Sequence, residues 1–374
     1  MKALWLVCWL LSSSWALSLL RNNGATPEPP AARKGPPPSC DSGAARRESI
    51  KRIRHLNSFS TSDNNTAFYG INQFSNLFPQ EFKAIYLQSK PSKVPKYTPG
   101  DGLEGTEKPL PAKFDWRDKD VVTQVRNQGT CGGCWAFSVV GIVESVYAIK
   151  RKFLEELSVQ QVIDCSYNNS GCHGGSTVTA LSWLNQTRVK LVRDSEYPFK
   201  AQMGLCHYFT RADFGVSVKG YAAYDLSDQE DKMKKMLIEW GPLAVIVDAV
   251  SWQDYLGGII QHHCSSGEPN HAVLITGYDT TGSIPFWIVR NSWGPTWGLE
   301  GYVHIKMGSN ICGKLCQSLC GVYWMIIQMV LQILAQVAIF YKPVWIFGQT
   351  HTLPTLFCQK MLQSNLSSCR SSAI

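Results

Sequence analysis

Eleven residues, 128–138, constrain this chain more than any other stretch. They read QGTCGGCWAFS and place two cysteines and three glycines directly before an apolar run. Apolar residues then recur at the spacing of a buried helix: Trp135, Val139, Ile142, Val143 and Val146. A cysteine in the first turn of a helix lies at the positive end of the macrodipole, which lowers its pKa and supplies thiolate near neutral pH. We therefore predict that Cys134 is a reactive nucleophile.

Charge is unevenly distributed along the 374 residues, which are enough for about two domains. Residues 1–109 carry 14 basic and 8 acidic side chains, residues 110–321 carry 19 and 20, and residues 322–374 carry 3 and none. The central block is therefore almost neutral and has no basic stripe of the kind that nucleic acids require. Nucleic acid is not a predicted partner.

The chain is expected to pass through an oxidising compartment. It has 13 cysteines, which is many for a reducing environment. Residues 1–20 combine one basic residue, an apolar core and small residues, as a secretory signal peptide does. Four glycosylation sequons agree with that route, at Asn64, Asn168, Asn185 and Asn365.

Composition divides the remainder into three parts. Residues 21–109 are interpreted as a pro-segment, with basic, helix-compatible sequence at 46–57 and a linker at 90–109 that suits proteolytic cleavage. Residues 110–321 form the predicted catalytic domain, and residues 322–374 form an atypical hydrophobic tail.

Helices should dominate the first half of the catalytic domain, and strands the second. Ser158 followed by Gln161 is a capping-box pattern that starts another helix after the one at Cys134. Strand-like stretches follow at 243–250, 271–279, 285–292 and 301–307. The expected fold class is α+β.

The two middle strands bring two polar residues together. A hairpin centred near Thr281 would pair His271 with Asn291 and place both side chains on one face. Histidine suits the transfer of a proton from Cys134 and its later delivery to a leaving amine. Asn291 could orient the imidazole without adding charge. The backbone N–H of Cys134 and the amide of Gln128 would form an oxyanion hole.

Five segments, in this order, resemble the papain family of cysteine proteases. They are FDWR at 114–117, CGGCW at 131–135, GCHGG at 171–175, NHAV at 270–273 and NSWGPTWG at 291–298. The resemblance covers about residues 46–313. It implies two lobes, a helical left lobe and an antiparallel, β-barrel-like right lobe, with the cleft between them.

The resemblance also implies roles for individual residues. The expected disulfides are Cys131–Cys172, Cys165–Cys206 and Cys264–Cys312. Gly174 and Gly175 would offer backbone hydrogen bonds to an extended substrate. Trp293 would shield the bond between His271 and Asn291 from water, with Trp297 packed nearby.

The pro-segment resembles the inhibitory segment of this family. Gly70, Asn72 and Phe74 match the pattern Gly-x-Asn-x-Phe-x-Asp, but Asn76 replaces the final Asp. That replacement puts acid-triggered release through position 76 in doubt. Inside the domain, His173 stands where the family usually has Asn.

The implied activity is that of a lysosomal cysteine endopeptidase made as a zymogen, with the extracellular space as a second location. Its partners would be polypeptide substrates, its own pro-segment and cystatin-type inhibitors. Neither a cofactor nor a metal is expected. Thiol–disulfide oxidoreductase chemistry at Cys131 and Cys134 remains an alternative, although no βαβ pattern surrounds this CxxC and no zinc-ligand spacing accompanies it.

The end of the chain departs from the family. The resemblance stops after Gly313, where the family adds a closing strand, and residues 322–341 are uncharged and long enough to span a bilayer. We interpret the tail as an alternative or aberrant C-terminus in preference to a membrane anchor. Loss of the closing strand would then leave an inactive variant.

Overall fold

The computed structural model describes residues 42–59, 66–98, 109–207, 214–227, 229–262, 267–308 and 319–321. All of them lie in one compact unit, Met1–Trp324, and the second unit, Met325–Ile374, lies outside them. Several predicted features also fall outside the described residues: the signal peptide, Asn64, Asn365, the disulfide Cys264–Cys312 and the candidate membrane span at 322–341. Within the described ranges, no helix has the length and apolar character needed to cross a bilayer.

The described part of the predicted pro-segment contains two helices, α1 (Ser42–Asn57) and α2 (Pro79–Tyr86), and one short strand, β1 (Phe68–Tyr69). The helical expectation for 46–57 is confirmed by α1. Proline occupies the first turn of α2, and the Glu81 carboxylate accepts a hydrogen bond from the Phe78 N–H at 2.9 Å. Both features favour a helix that starts at this point.

Helices form the first half of the catalytic domain, as expected. They are α3 (Cys134–Arg151), α4 (Val159–Cys165) and α5 (Thr177–Thr187). Ser158 precedes α4 and its hydroxyl accepts a hydrogen bond from the Gln161 N–H at 3.0 Å, which confirms the predicted helix start. A further helix, α6 (Glu230–Trp240), precedes most strands of the second half.

Strands dominate the second half, and most of them join one sheet. The remaining strands are β2 (Lys113–Asp115), β3 (Lys190–Leu191), β4 (Val216–Ser217), β5 (Ala222–Tyr224), β6 (Leu243–Val247), β7 (Tyr255–Gly257), β8 (Ile259–Ile260), β9 (His271–Asp279), β10 (Phe286–Arg290), β11 (Tyr302–Lys306) and β12 (Leu319–Gly321). The main sheet has the order β5-β12-β6-β9-β10-β11-β8, with β2 paired to β9. The α+β prediction is confirmed.

Two hydrophobic cores meet at strands β6 and β9. In β9, Val273 and Ile275 belong to the core of the strand-rich half, whereas Ala272 and Leu274 belong to the core of α3, α4 and α5. Successive side chains of a strand point to opposite faces, so each face of β9 packs in a different core. His271 is the first residue of this shared strand.

The predicted register of the β9–β10 hairpin is wrong. Phe286 pairs with Asp279 and Arg290 pairs with Leu274, with an irregularity between Ile288 and Val289. The connection between the strands is therefore centred beyond Thr281, and His271 and Asn291 are not cross-strand partners. Their side chains nevertheless meet, although Asn291 lies one residue beyond the end of β10.

A short strand occupies the place of the closing strand. β12 pairs with β5 on one side and with β6 on the other, at Cys320 and Ala244. The chain after Gly313 thus still adds a strand to the main sheet, Leu319–Gly321, where loss of the closing strand was expected.

Candidate active site

Cys134 begins α3, where the sequence places it. Its neighbour Cys131 forms a disulfide with Cys172, whereas Cys134 is free. The helix start has no side-chain cap, because Gly133 precedes it. The free thiol of Cys134 therefore lies beside uncapped N–H groups at the positive end of the helix macrodipole. The second disulfide in the described residues joins Cys165 and Cys206.

Burial, not the helix dipole, governs the Cys134 thiol in this form. Its side chain is 0% exposed, and burial raises its pKa from 9.0 to about 11. Backbone hydrogen bonds from Ala272 and from Gln88 and Ser89 of the pro-segment oppose that rise. The expected thiolate near neutral pH is therefore disfavoured in this form, because burial destabilises the charged sulfur.

His271 and Asn291 are in direct contact. The His271 Nε2 lies 2.7 Å from the Asn291 Oδ1. Trp293 is also buried and stacks on the imidazole, with ring centroids 4.7 Å apart, and Trp297 packs edge-on against Trp293 at 4.8 Å. The ring is thus oriented by one hydrogen bond and one stacked indole, both shielded from water.

The imidazole is held in its neutral form. Burial lowers the pKa of His271 from 6.5 to about 4, while Asn291 and the Tyr86 carbonyl of the pro-segment favour the charged ring. A neutral thiol and a neutral imidazole therefore coexist beneath the pro-segment.

Gln128, the predicted oxyanion donor, is fully buried. Its Nε2 donates to the Cys131 carbonyl at 2.9 Å and to the Tyr86 carbonyl at 3.3 Å. The Ser292 hydroxyl donates to its Oε1 at 2.6 Å, which fixes the amide with the nitrogen toward the pro-segment. The Gln128 amide, one of the proposed oxyanion donors, therefore donates to a pro-segment carbonyl in this form.

The pro-segment crosses this centre as an extended strand. Gly175 donates its N–H to the Gln88 carbonyl at 3.2 Å and accepts from the Lys90 N–H at 2.8 Å. On the other side, the Ser89 N–H donates to the Asn270 carbonyl at 2.9 Å. Residues of both halves thus bind one backbone, as a peptide-binding cleft does.

Gly174 was expected to offer backbone hydrogen bonds to an extended chain, but it makes none to the pro-segment. Its N–H and carbonyl bond to Gly171 and Ser170, and neither reaches the pro-segment. It has φ +104°, and a Cβ there would come 2.2 Å from the Gln88 carbonyl oxygen. Gly174 therefore gives the bound backbone room, and Gly175 supplies the hydrogen bonds.

An aromatic cluster anchors the pro-segment above the His271–Asn291 pair. The rings of Phe74, Phe82 and Tyr86 lie 5.3, 5.2 and 6.3 Å from the Trp293 ring. Asn76, the departure from the family pattern, is exposed.

Sequence reasoning missed a buried network beside His271. The Asn270 amide donates to the Asp248 carboxylate at 3.0 Å, and its Oδ1 accepts from the Ala249 N–H at 3.1 Å. This network holds the Asn270 carbonyl that receives the pro-segment. The only sequence signal for Asn270 is that it directly precedes His271. Ser292, which binds Gln128, likewise directly follows Asn291.

The remaining predicted positions lie on the helical half. Asn168 and His173 are exposed, and Asn185 is half-buried on α5. Within the described residues, no group of three or more His, Cys, Asp or Glu side chains could hold a metal ion.

Known proteins resemble both the sequence and the fold. Residues 110–323 match the family model described as papain family cysteine protease. Cathepsin O of Homo sapiens is 72% identical over 270 residues, which cover 72% of this chain and 84% of that protein. Cathepsin O of Mus musculus is 64% identical over 271 residues, covering 72% and 86%.

Solved precursor structures agree with these matches. The digestive procathepsin L2 proteinase from the larval midgut of Tenebrio molitor has a TM-score of 0.69 at 29% identity and covers 75% of this chain and 91% of that one. A recombinant stem bromelain precursor has a TM-score of 0.64 at 31% identity, with coverage of 75% and 91%. This chain belongs to the papain family of cysteine proteases.

Proposed function

We propose that this chain is the latent form of a papain-like cysteine endopeptidase. Cys134 is the nucleophile, His271 accepts its proton and returns it to the leaving amine, and Asn291 orients the imidazole. The Cys134 N–H and the Gln128 amide stabilise the oxyanion. The observation that carries the proposal is the 2.7 Å contact between His271 and Asn291, beneath a backbone bound across Cys134.

Residues 21–109 are the proposed inhibitor of this site. The Tyr86 carbonyl occupies the Gln128 donor, and the bound strand buries Cys134 and His271 in their neutral forms. Removal of the pro-segment would readmit water and favour the charged thiolate and imidazolium. Cleavage in the linker before residue 110 would therefore convert a silent site into a reactive one.

Polypeptides bound in extended form are the proposed substrates. Gly175 and Asn270 already pair with an extended backbone in the cleft. Cystatin-type proteins that enter the same cleft are proposed inhibitors. The signal-like residues 1–20 and the similarity to cathepsins support a secretory route to the lysosome.

Thiol–disulfide oxidoreductase chemistry is not favoured. It would require Cys131 and Cys134 to form a redox pair, but Cys131 is bonded to Cys172.

Labelling of the mature peptidase, meaning the chain after pro-segment removal, tests the proposal. An epoxysuccinyl thiol-protease inhibitor should form an adduct on Cys134, located by mass spectrometry. A fluorogenic peptide blocked at both ends should be hydrolysed. Cys134→Ala should abolish both signals, and His271→Ala should remove hydrolysis. A folded mature protein without an adduct on Cys134 would contradict the assignment.

A further inference from the structure

The pro-segment also binds a second surface, formed by residues 252–260. Strand β1 pairs with β7, and the Gly70 N–H donates to the Asp254 carbonyl at 2.9 Å. The Asn72 amide donates to the Gln253 carbonyl at 2.8 Å. Backbone and amide contacts thus align the pro-segment over this surface.

A buried carboxylate lies at the centre of that surface. The Asp254 side chain is 0% exposed. The Arg52 guanidinium of α1 binds its Oδ2 through Nε at 2.7 Å and Nη2 at 2.5 Å. The hydroxyls of Ser49 and Ser75 donate to its Oδ1, each at 3.2 Å. Among the described residues, every side-chain hydrogen bond of Asp254 therefore comes from the pro-segment.

The peptidase alone does not explain a carboxylate in this position. Burial raises the pKa of the Asp254 carboxyl, and Arg52 and the two serines oppose that rise. Removing one partner of a buried ion pair leaves an uncompensated charge and is strongly destabilising, whereas replacing both partners is often nearly neutral. The exposed Asn76 makes none of these contacts. The carboxylate that pairs with the pro-segment is thus Asp254 of the peptidase and does not belong to the pro-segment itself.

We propose that Arg52 and Asp254 form a latch, an ion pair that holds the pro-segment on the peptidase and keeps the chain latent. The latch rests on the proposed function in one respect, since it regulates the site at Cys134. It predicts that loss of either charge opens the chain, and that loss of both charges opens it less than loss of one.

Hydrogen exchange of α1 tests the latch without any catalysis. The full chain would carry Cys134→Ala, with Arg52→Ala, Asp254→Asn or the double variant Arg52→Gln/Asp254→Asn added. Each single variant should expose the α1 amides about 100-fold more often, while the double variant should stay within about tenfold of the parent. Arg54→Ala is the matched control, since Arg54 is an exposed arginine on the same helix, and it should behave as the parent.

Labelling of Cys134 provides the functional readout. In chains with the native cysteine, the epoxysuccinyl inhibitor should react faster at neutral pH with Arg52→Ala than with the parent. After processing, Arg52→Ala yields a mature peptidase of unaltered sequence, so an equal kcat/KM verifies that it folded. Single variants with unchanged exchange, or a double variant as open as the two singles combined, would overturn the latch. An unreactive mature parent would instead refute the proposed function and leave the exchange result standing.

Discussion

Acidification is expected to open the latent chain through His271. In the closed form burial lowers the His271 pKa from 6.5 to about 4. Once the pro-segment leaves, the imidazole regains solvent and an ordinary pKa. The opened state therefore binds a proton more readily, and the contribution of neutral His271 to closure is present above pH 6.5 and is lost as pH falls toward about 4.

The magnitude follows from the two pKa values. A difference between 6.5 and about 4 corresponds to roughly 3 kcal/mol at full effect. At pH 5 the opened state is favoured by about 2 kcal/mol relative to neutral pH, which is roughly a 20-fold larger opening equilibrium constant.

The assay is hydrogen exchange of residues 88–90 in the Cys134→Ala chain. Protection factors, corrected for the intrinsic pH dependence of exchange, should fall about 20-fold between pH 7.5 and pH 5. In the Cys134→Ala/His271→Ala chain, the corrected protection factors should change little between pH 7.5 and pH 5. Equal pH dependence in both chains would refute the argument, because another group would then control opening.

Three further predictions concern the site and the cleft. Asn291→Ala removes the 2.7 Å contact that orients His271, so kcat of the mature peptidase should fall about 100-fold with little change in KM. A rise in KM as large as the fall in kcat would argue against a purely orienting role. Gly174→Ala places a Cβ 2.2 Å from the Gln88 carbonyl and should raise the rate of Cys134 labelling in the latent chain about tenfold or more. Gly308→Ala, at φ +91° with open space around it, is the matched control and should leave labelling unchanged. Asp248→Ala should raise KM several-fold more than it lowers kcat, because the Asn270 carbonyl loses its support; Asp248→Asn should restore KM, and failure of that rescue would count against positioning.

Local sequence predicted the elements of the site well, because their signals are local. The apolar spacing after Cys134 and the capping pair Ser158 and Gln161 act within a few residues, and both helices form as expected. The hairpin register was not predictable in this way. It depends on where the turn is centred and on an irregularity at Ile288, which no pattern marks.

The charge states of the site lie beyond local reasoning for a related reason. The helix dipole at Cys134 is readable from sequence, but the burial that overrides it is not, and neither are the opposing backbone hydrogen bonds from the distant residues Gln88, Ser89 and Ala272. The ion pair of Asp254 is equally unpredictable from local sequence, since its partner Arg52 is 202 positions away in the chain and only the fold brings the two together. Long-range contacts thus decide whether the residues that the motifs identify are reactive.

The hydrophobic core of the strand-rich half has one further consequence, which concerns kinetics. Among the described residues, seven pro-segment side chains are part of it: Leu56, Ala67, Tyr69, Phe74, Phe82, Leu87 and Tyr97. Cleavage before residue 110 would remove these apolar contacts, so a mature peptidase once unfolded would have a weaker drive to refold. Its working lifetime would then be set by the height of its unfolding barrier rather than by equilibrium stability. Activation of such a chain would then be hard to reverse, because the apolar contacts that favour refolding leave with the pro-segment.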